Sequence, residues 1–228
     1  MIVAVTGLAR EARLIENPKI VPIIGGGDGA SLERRLDDEL TKRARRVLSI
    51  GICGALSPEF RVGDVIVASE VLSGSDIFPT HAGWTKDLAS RMPHAVVAPL
   101  VGTDKIMADR EAKSQLRAET RAAAADMESH IAARLAKARG LPFAALRVVS
   151  DAAHRSLPPA TSVAMTPSGG VDLGAVLRSM LRAPLQIPAL IRTAWEAEIA
   201  FAALFRCRHM LLGGFGTANL GELALDVG

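Results

Sequence analysis

The 228-residue sequence suits one domain with a continuous core. Its 49% hydrophobic and 22% charged composition excludes a disordered chain. With 27 basic against 24 acidic residues the net charge is only +3, and no basic patch is interleaved with aromatics, so nucleic acid is not an expected partner.

Residues 2–5 read as a buried strand rather than a secretory leader, and a cytoplasmic location is expected. A helix is expected over 9–15 and a second strand over 20–24, ending in Gly25-Gly26-Gly27. Leu32, Leu36 and Leu40 follow at four-residue spacing and define one helix face. Residues 47–50 read as a strand entering a glycine turn at 51–55. Further strands are expected over 65–68, 95–100 and 143–149. Between the last two, an Ala-rich segment carries Asp126-Met127-Glu128 and continues as a helix toward Lys137, stopped by Gly140 before Leu141-Pro142. Repeated strand, glycine-turn and helix units predict an α/β fold, a single domain with a mixed central sheet flanked by helices.

Beyond Asp151 the character changes. Residues 155–172 are rich in Pro, Ser, Thr and Gly and read as a loop or lid. Helical patterning resumes over 173–181 and again over 188–211, interrupted by Pro184 and Pro188. The expected layout is a catalytic domain over 1–212, helical from about 173, and a tail over 213–228. The 188–211 helix is apolar with scattered charges. Three uses stand open: a core or subunit-interface helix, the wall of an apolar tunnel, or contact with a bilayer surface. No run of about 18 apolar residues supports a membrane span.

Several residues stand out for their chemistry. A carboxylate such as Glu128 accepts two sugar hydroxyls and orients an anomeric carbon, or it lies on a helix surface with Met127 as packing. Asp151, at the end of a strand, suits a general acid or a turn cap. Arg10 is a fixed, charge-assisted donor able to bind an anion, and with Glu11 beside it a surface ion pair is the plain alternative. His154 lies just beyond Asp151, beside a base pocket or on the surface. Cys53 and Cys207 make no metal-ligand series, and Cys53 has no identifiable base to activate it as a nucleophile. The first strand is not followed by Gly-x-Gly-x-x-Gly, so a redox dinucleotide fold is not expected.

Taken in order, Ser49-Ile50-Gly51-Ile52-Cys53-Gly54-Ala55-Leu56, Val62-Gly63-Asp64-Val65-Ile66-Val67, Asp126-Met127-Glu128-Ser129 and Leu146-Arg147-Val148-Val149-Ser150-Asp151 resemble the purine-nucleoside-phosphorylase/uridine-phosphorylase superfamily. The likeness is strongest to its methylthioadenosine and adenosylhomocysteine nucleosidases and spans residues 1–154. It implies that Glu128 binds ribose hydroxyls, that Met127 packs on the sugar, and that Gly54 and His154 border the substrate. Asp151 would donate a proton toward purine N7. It also implies either Glu11 orienting water, or Gly7, Arg10, Gly26 and Gly27 around phosphate. Ser49 and Ile52 depart from the arginine and serine that hold phosphate in bacterial hexameric phosphorylases.

The Gly7-Leu8-Ala9-x-Glu11-Ala12 start and the Asp126-Met127-Glu128-Ser129-His130-Ile131-Ala132-Ala133 stretch resemble the hopanoid-associated phosphorylases. That resemblance implies phosphorolysis of adenosylhopane to adenine and a phosphoribosyl-hopane, with inorganic phosphate as co-substrate and neither a metal nor an organic cofactor. The superfamily resemblance implies a homo-oligomer, and the apolar 188–211 helix leaves peripheral contact at the inner face of the cytoplasmic membrane as a further expectation. Hydrolysis of an adenine nucleoside is the enzymatic alternative, and a non-catalytic nucleoside-binding or scaffold protein is the alternative from another class.

Overall fold

In the computed structural model, which describes residues 1–214 apart from Arg43, Pro93, Met165 and Pro167, strands and helices alternate from the first residues onward. Strand β1 (Ile2–Thr6) runs parallel to β2 (Ile20–Ile24), with α1 (Ala9–Leu14) between them. Period-two alternation sends Val3 and Val5 to one face and Ile2 and Ala4 to the other. Helix α2 (Gly29–Leu40) starts at Asp28, whose carboxylate accepts from Ser31 N at 3.0 Å. It buries Leu32, Leu36 and Leu40, as their spacing requires.

The remaining strands are β3 (Arg46–Ala55), β4 (Val65–Ser73), β5 (Asp76–Pro79), β6 (Val96–Gly102), β7 (Ala124–Asp126) and β8 (Phe143–Asp151). β3 pairs in parallel with β1 and β8 and antiparallel with β7. β8 pairs antiparallel with β4, β4 in parallel with β6, and β6 in parallel with β7. The mixed sheet expected from sequence therefore closes into a five-stranded circuit through β3, β8, β4, β6 and β7. Register shifts at Cys53/Gly54 and Ala68/Val71 supply the local bends that closure needs.

Residues 51–55, expected as a turn, are instead the last five residues of β3. Their ladder continues against β8 through Cys53 and then against β7 at Gly54 and Ala55.

Helices α3 (Ala82–Arg91), α4 (Arg110–Thr120), α5 (Ser129–Ala138), α6 (Leu173–Arg182) and α7 (Ile187–Gly214) complete the fold. Against one face of the sheet pack Leu32 and Leu36 of α2 and Ile131 and Leu135 of α5; against the other pack Trp84 and Leu88 of α3 and Phe201 and Leu204 of α7. Gly140, at φ 61°, ends the chain turn after α5. The 155–172 segment includes a short 3₁₀ turn, Pro159–Val163. Gly213 and Gly214 belong to α7 rather than to the expected tail, and residues 215–228 lie outside the described residues. No helix among the described residues is long and apolar enough to cross a membrane.

Candidate active site

An arginine in the middle of an otherwise apolar strand must find partners, and Arg147 of β8 is fully buried. Its Nη2 lies 2.7 Å from Ser49 Oγ, 3.0 Å from Asp126 Oδ1 and 3.1 Å from Ser129 Oγ. Glu128 Oε2 is 3.6 Å from the same nitrogen. Asp126 Oδ1 also accepts from the backbone N of Glu128 at 2.8 Å and of Ser129 at 2.6 Å. The end of β7 is thereby tied to the start of α5, which aims Glu128 back at the sheet.

Glu11 reaches the same hub from α1. Its carboxylate accepts from Gly7 N at 2.7 Å, Leu8 N at 2.8 Å and, across to β3, Ile52 N at 2.8 Å. Three buried carboxyl groups thus surround one guanidinium. Burial, with Asp126 and Glu11 nearby, pushes Glu128 up to about 8 against the pull of Arg147. Burial also raises Glu11, although Arg147 and the three backbone donors oppose it. For Asp126 burial acts upward too, but Arg147 and the donors from Ser129 and Glu128 prevail and hold it below the usual carboxylate range.

The glycines of the two loops are explained by this hub. A Cβ on Gly7 would lie 2.9 Å from Glu128 Oε1, and one on Gly25 would lie 2.8 Å from Glu128 Cγ. A Cβ on Gly51 would meet both Arg147 Nη1 and Glu11 Oε1 at 2.6 Å. The missing side chains leave room for the carboxyl groups of Glu128 and Glu11 and for the Arg147 guanidinium.

At the far end of β8 a second ion pair is buried. Lys113 of α4 is fully buried, and its ammonium bonds Asp151 Oδ2 and the carbonyls of Ala152 at 3.3 Å and Arg155 at 3.1 Å. Ser150 Oγ lies 3.0 Å from both Asp151 Oδ1 and Cys53 O. A Cβ on Gly54 would approach Asp151 Oδ2 to 3.1 Å.

Between the two ion-pair centres lies a cavity of about 130 Å³, lined among others by Gly7, Glu11, Gly54, Met127, Glu128 and Asp151. Six of the residues singled out from sequence therefore meet in one place. A second cavity, of about 390 Å³, opens beyond Met127 and Glu128 toward Gly25, Gly27 and the start of α2. Gly26 lies beneath this loop, its N donating to Gly7 O at 3.0 Å. A third, apolar space of about 280 Å³ shares Leu8, Ile52 and Asp151 with the first and extends past Phe201 and Thr193 to Val171.

Two of the residues stand elsewhere. Arg10 points outward, paired in a bidentate contact with Glu198 and lying 4.1 Å over the Phe201 ring. His154 is exposed and lines none of these three spaces. The arrangement depends on Arg147, Asp126 and Lys113, to which sequence reading assigned no role. The charge inside β8 was a signal for Arg147; the polar run of α4 carried none for Lys113.

A family model described as the phosphorylase superfamily matches residues 19–182. No curated protein matches the chain in sequence. Among solved structures, the chain is similar to a 5′-methylthioadenosine/S-adenosylhomocysteine nucleosidase from Colwellia psychrerythraea 34H in complex with adenine, at 18% identity and TM-score 0.61, covering 79% of this chain and 94% of that one. It is also similar to the same type of nucleosidase from Helicobacter pylori, with butyl-thio-DADMe-Immucillin-A, at 14% identity and TM-score 0.60, covering 93% and 97%. The futalosine hydrolase of Helicobacter pylori strain 26695 matches at 15% identity and TM-score 0.60, covering 66% of this chain and 87% of that one.

Proposed function

The chain belongs to the phosphorylase superfamily, and on that premise we propose that it cleaves the N-glycosidic bond of an adenine nucleoside with water as nucleophile. The observation that carries this reading is one small cavity bounded by Glu128 and Glu11 at one end and Asp151 at the other. Bond cleavage builds positive charge on the ribose and negative charge on the departing base. A carboxylate cluster suits the first, and a donor beside Asp151 suits the second.

The choice of water rests on charge. Among the described residues, no arginine or lysine lines the 130 Å³ cavity. Arg10 is engaged by Glu198, and Arg147 is enclosed by Glu11, Asp126 and Glu128. The amides of Gly25 and Gly26 are taken by the carbonyls of Thr6 and Gly7. Glu11, held by three backbone donors, is the group placed to orient water.

Phosphate is the second reading. It is favoured by the N-terminus of α2 opening on the 390 Å³ cavity that Glu128 shares. Asp28, Glu33 and Asp104 on the same walls oppose an anion, and Arg134 there is paired with Glu33 at 2.9 Å. Adenine release measured with and without phosphate separates the two. Free ribose at an unchanged rate supports water; sugar 1-phosphate supports phosphorolysis.

An apolar 5′ substituent is the finer part of the proposal, with the adenosylhopane of the hopanoid-associated phosphorylases as its extreme case. The apolar space leading from Leu8 and Ile52 past Phe201 would take such a group. Beyond it, residues 172–196 carry Arg178, Arg182 and Arg192 against Asp172 and Glu196; Arg192 is paired with Glu196 at 2.9 Å, while Arg178 and Arg182 are exposed. Leu173, Leu177, Leu181, Ile191 and Trp195 are exposed in the same segment, and Leu185 is 96% exposed. An apolar surface with a basic rim suits an anionic bilayer. Flotation with anionic and with neutral vesicles tests this part. Binding to the anionic set that is lost in Leu181→Glu supports peripheral contact; no binding, or a change of oligomeric state in that variant, rejects it.

A further inference from the structure

A group that protonates adenine N7 must carry a proton, yet Asp151 already accepts from Lys113, and its other oxygen faces a hydroxyl that also lies 3.0 Å from Cys53 O. Oδ2 takes the Lys113 ammonium and Oδ1 lies 3.0 Å from the Ser150 hydroxyl. The nearest acidic proton behind the carboxyl group therefore sits on Lys113 Nζ.

We propose that Lys113 is the proton reservoir for base departure, and that Asp151 is the conduit between its ammonium and the purine. The inference rests on the N-glycosidase reading above. In the step, one proton passes from Nζ to Asp151 and from Asp151 to N7. The C1′–N9 electron pair withdraws into the purine, leaving Lys113 as the neutral amine and Asp151 as carboxylate. The proton released when water adds to C1′ returns through solvent to restore the ammonium, so adenine, ribose and enzyme all balance.

The burial of Lys113 is what makes this chemistry accessible. The ammonium is enclosed, and its partners are one carboxylate, that of Asp151, and two carbonyls, so its proton has one acidic group to pass to. The same three contacts tie α4 to the chain leaving β8, reinforced by Leu157 N donating to Ala108 O at 2.8 Å and Arg110 N to Ser156 Oγ at 3.1 Å. Lys113 touches no substrate; it is a positioning and proton-supplying residue acting through Asp151.

Other titratable groups around the pair do not compete. Cys53, facing from β3, is kept as the thiol because burial pushes it well up. On α7, Glu196 and Glu198 are engaged by Arg192 and Arg10. Glu11, Asp126 and Glu128 surround Arg147 at the other end of the cavity.

The test compares two substrates, adenosine and p-nitrophenyl β-D-ribofuranoside, whose nitrophenolate leaves without protonation. In Lys113→Met, kcat for adenosine is expected to fall about 10²–10⁴-fold near neutral pH, the range of a lost acid. The loss on the nitrophenyl riboside should be far smaller. Because Asp151 alone must then take its proton from solution, adenosine cleavage by the variant should recover steeply from about pH 8 to pH 5. Lys113→Gln, which keeps a donor in the same enclosure, gives the second variant should the methionine chain not fold.

Equal losses on both substrates, or no loss on adenosine, or a loss that lowering the pH does not restore, would overturn the proton-reservoir role. Wild-type protein that cleaves neither substrate would instead reject the N-glycosidase reading, and the relay with it.

Discussion

The two ends of the cavity solve burial of charge in opposite ways. At the sugar end, one guanidinium, Arg147, is shared among Glu11, Asp126 and Glu128, so negative groups are in excess and Glu128 is pushed up to about 8. At the base end, one ammonium faces one carboxylate, Lys113 against Asp151, and the pair is balanced. An excess of carboxyl groups suits a place where a cationic ribosyl centre will form, because arriving positive charge relieves the crowding. A balanced pair suits a place where a proton is to be handed over.

The sharpest way to break this contrast is to remove the shared cation. Arg147→Met strands three buried carboxyl groups, and loss of one partner of a buried ion pair costs about 3–5 kcal/mol. Urea denaturation should show destabilisation of that size, with activity abolished. A change within about 0.5 kcal/mol would mean that the hub is not electrostatic.

At the other end, Asp151→Asn should lower adenine release by about 10²–10⁴-fold. Its stability should also drop, because the buried Lys113 ammonium loses its carboxylate partner. Undiminished release would remove Asp151 from the mechanism.

A third prediction uses pH to separate the ends. Glu128 lies at about 8 in the folded protein, well above its unfolded value near 4.3. Stability from its retained proton is therefore fully present below about pH 4 and is lost as pH rises toward 8, by at most about 1.4 kcal/mol per pH unit. Asp126, held low, acts in the opposite sense, its contribution disappearing only as pH falls below the carboxylate range. Denaturation from about pH 5 to 8 should thus show wild type losing stability relative to Glu128→Gln. Parallel curves would contradict a proton retained on Glu128.

The smallest effect is expected outside both ends. Arg10→Ala breaks an exposed, solvent-screened pair with Glu198, and should leave both stability and cleavage of unsubstituted adenosine nearly unaltered. A large loss of phosphate-dependent turnover in this variant would revive Arg10 as a phosphate ligand.

What was legible in the sequence follows the same division between local and tertiary causes. The Leu32, Leu36, Leu40 stripe and the strand alternation of β1 are local patterns, and the structure buries them as their spacing demands. The Asp126-Met127-Glu128 and Ser150-Asp151 segments identified the cavity walls. Gly51 and Gly54 read as turn residues because glycine is so often that; here they stay in β3 and admit Arg147, Glu11 and Asp151. Lys113 was unreadable, since nothing in the polar face pattern of α4 distinguishes a buried lysine from its solvated neighbours. Closure of the sheet depends on two register shifts that no strand announces by itself.

The most direct test of the account is a pair of incubations in ¹⁸O-labelled water, with and without phosphate, of adenosine bearing an apolar 5′ substituent. The account predicts free adenine in equal amount to a ribose product carrying the label on C1. Adenine release that requires phosphate and yields an unlabelled sugar 1-phosphate, or no adenine at all, would contradict it.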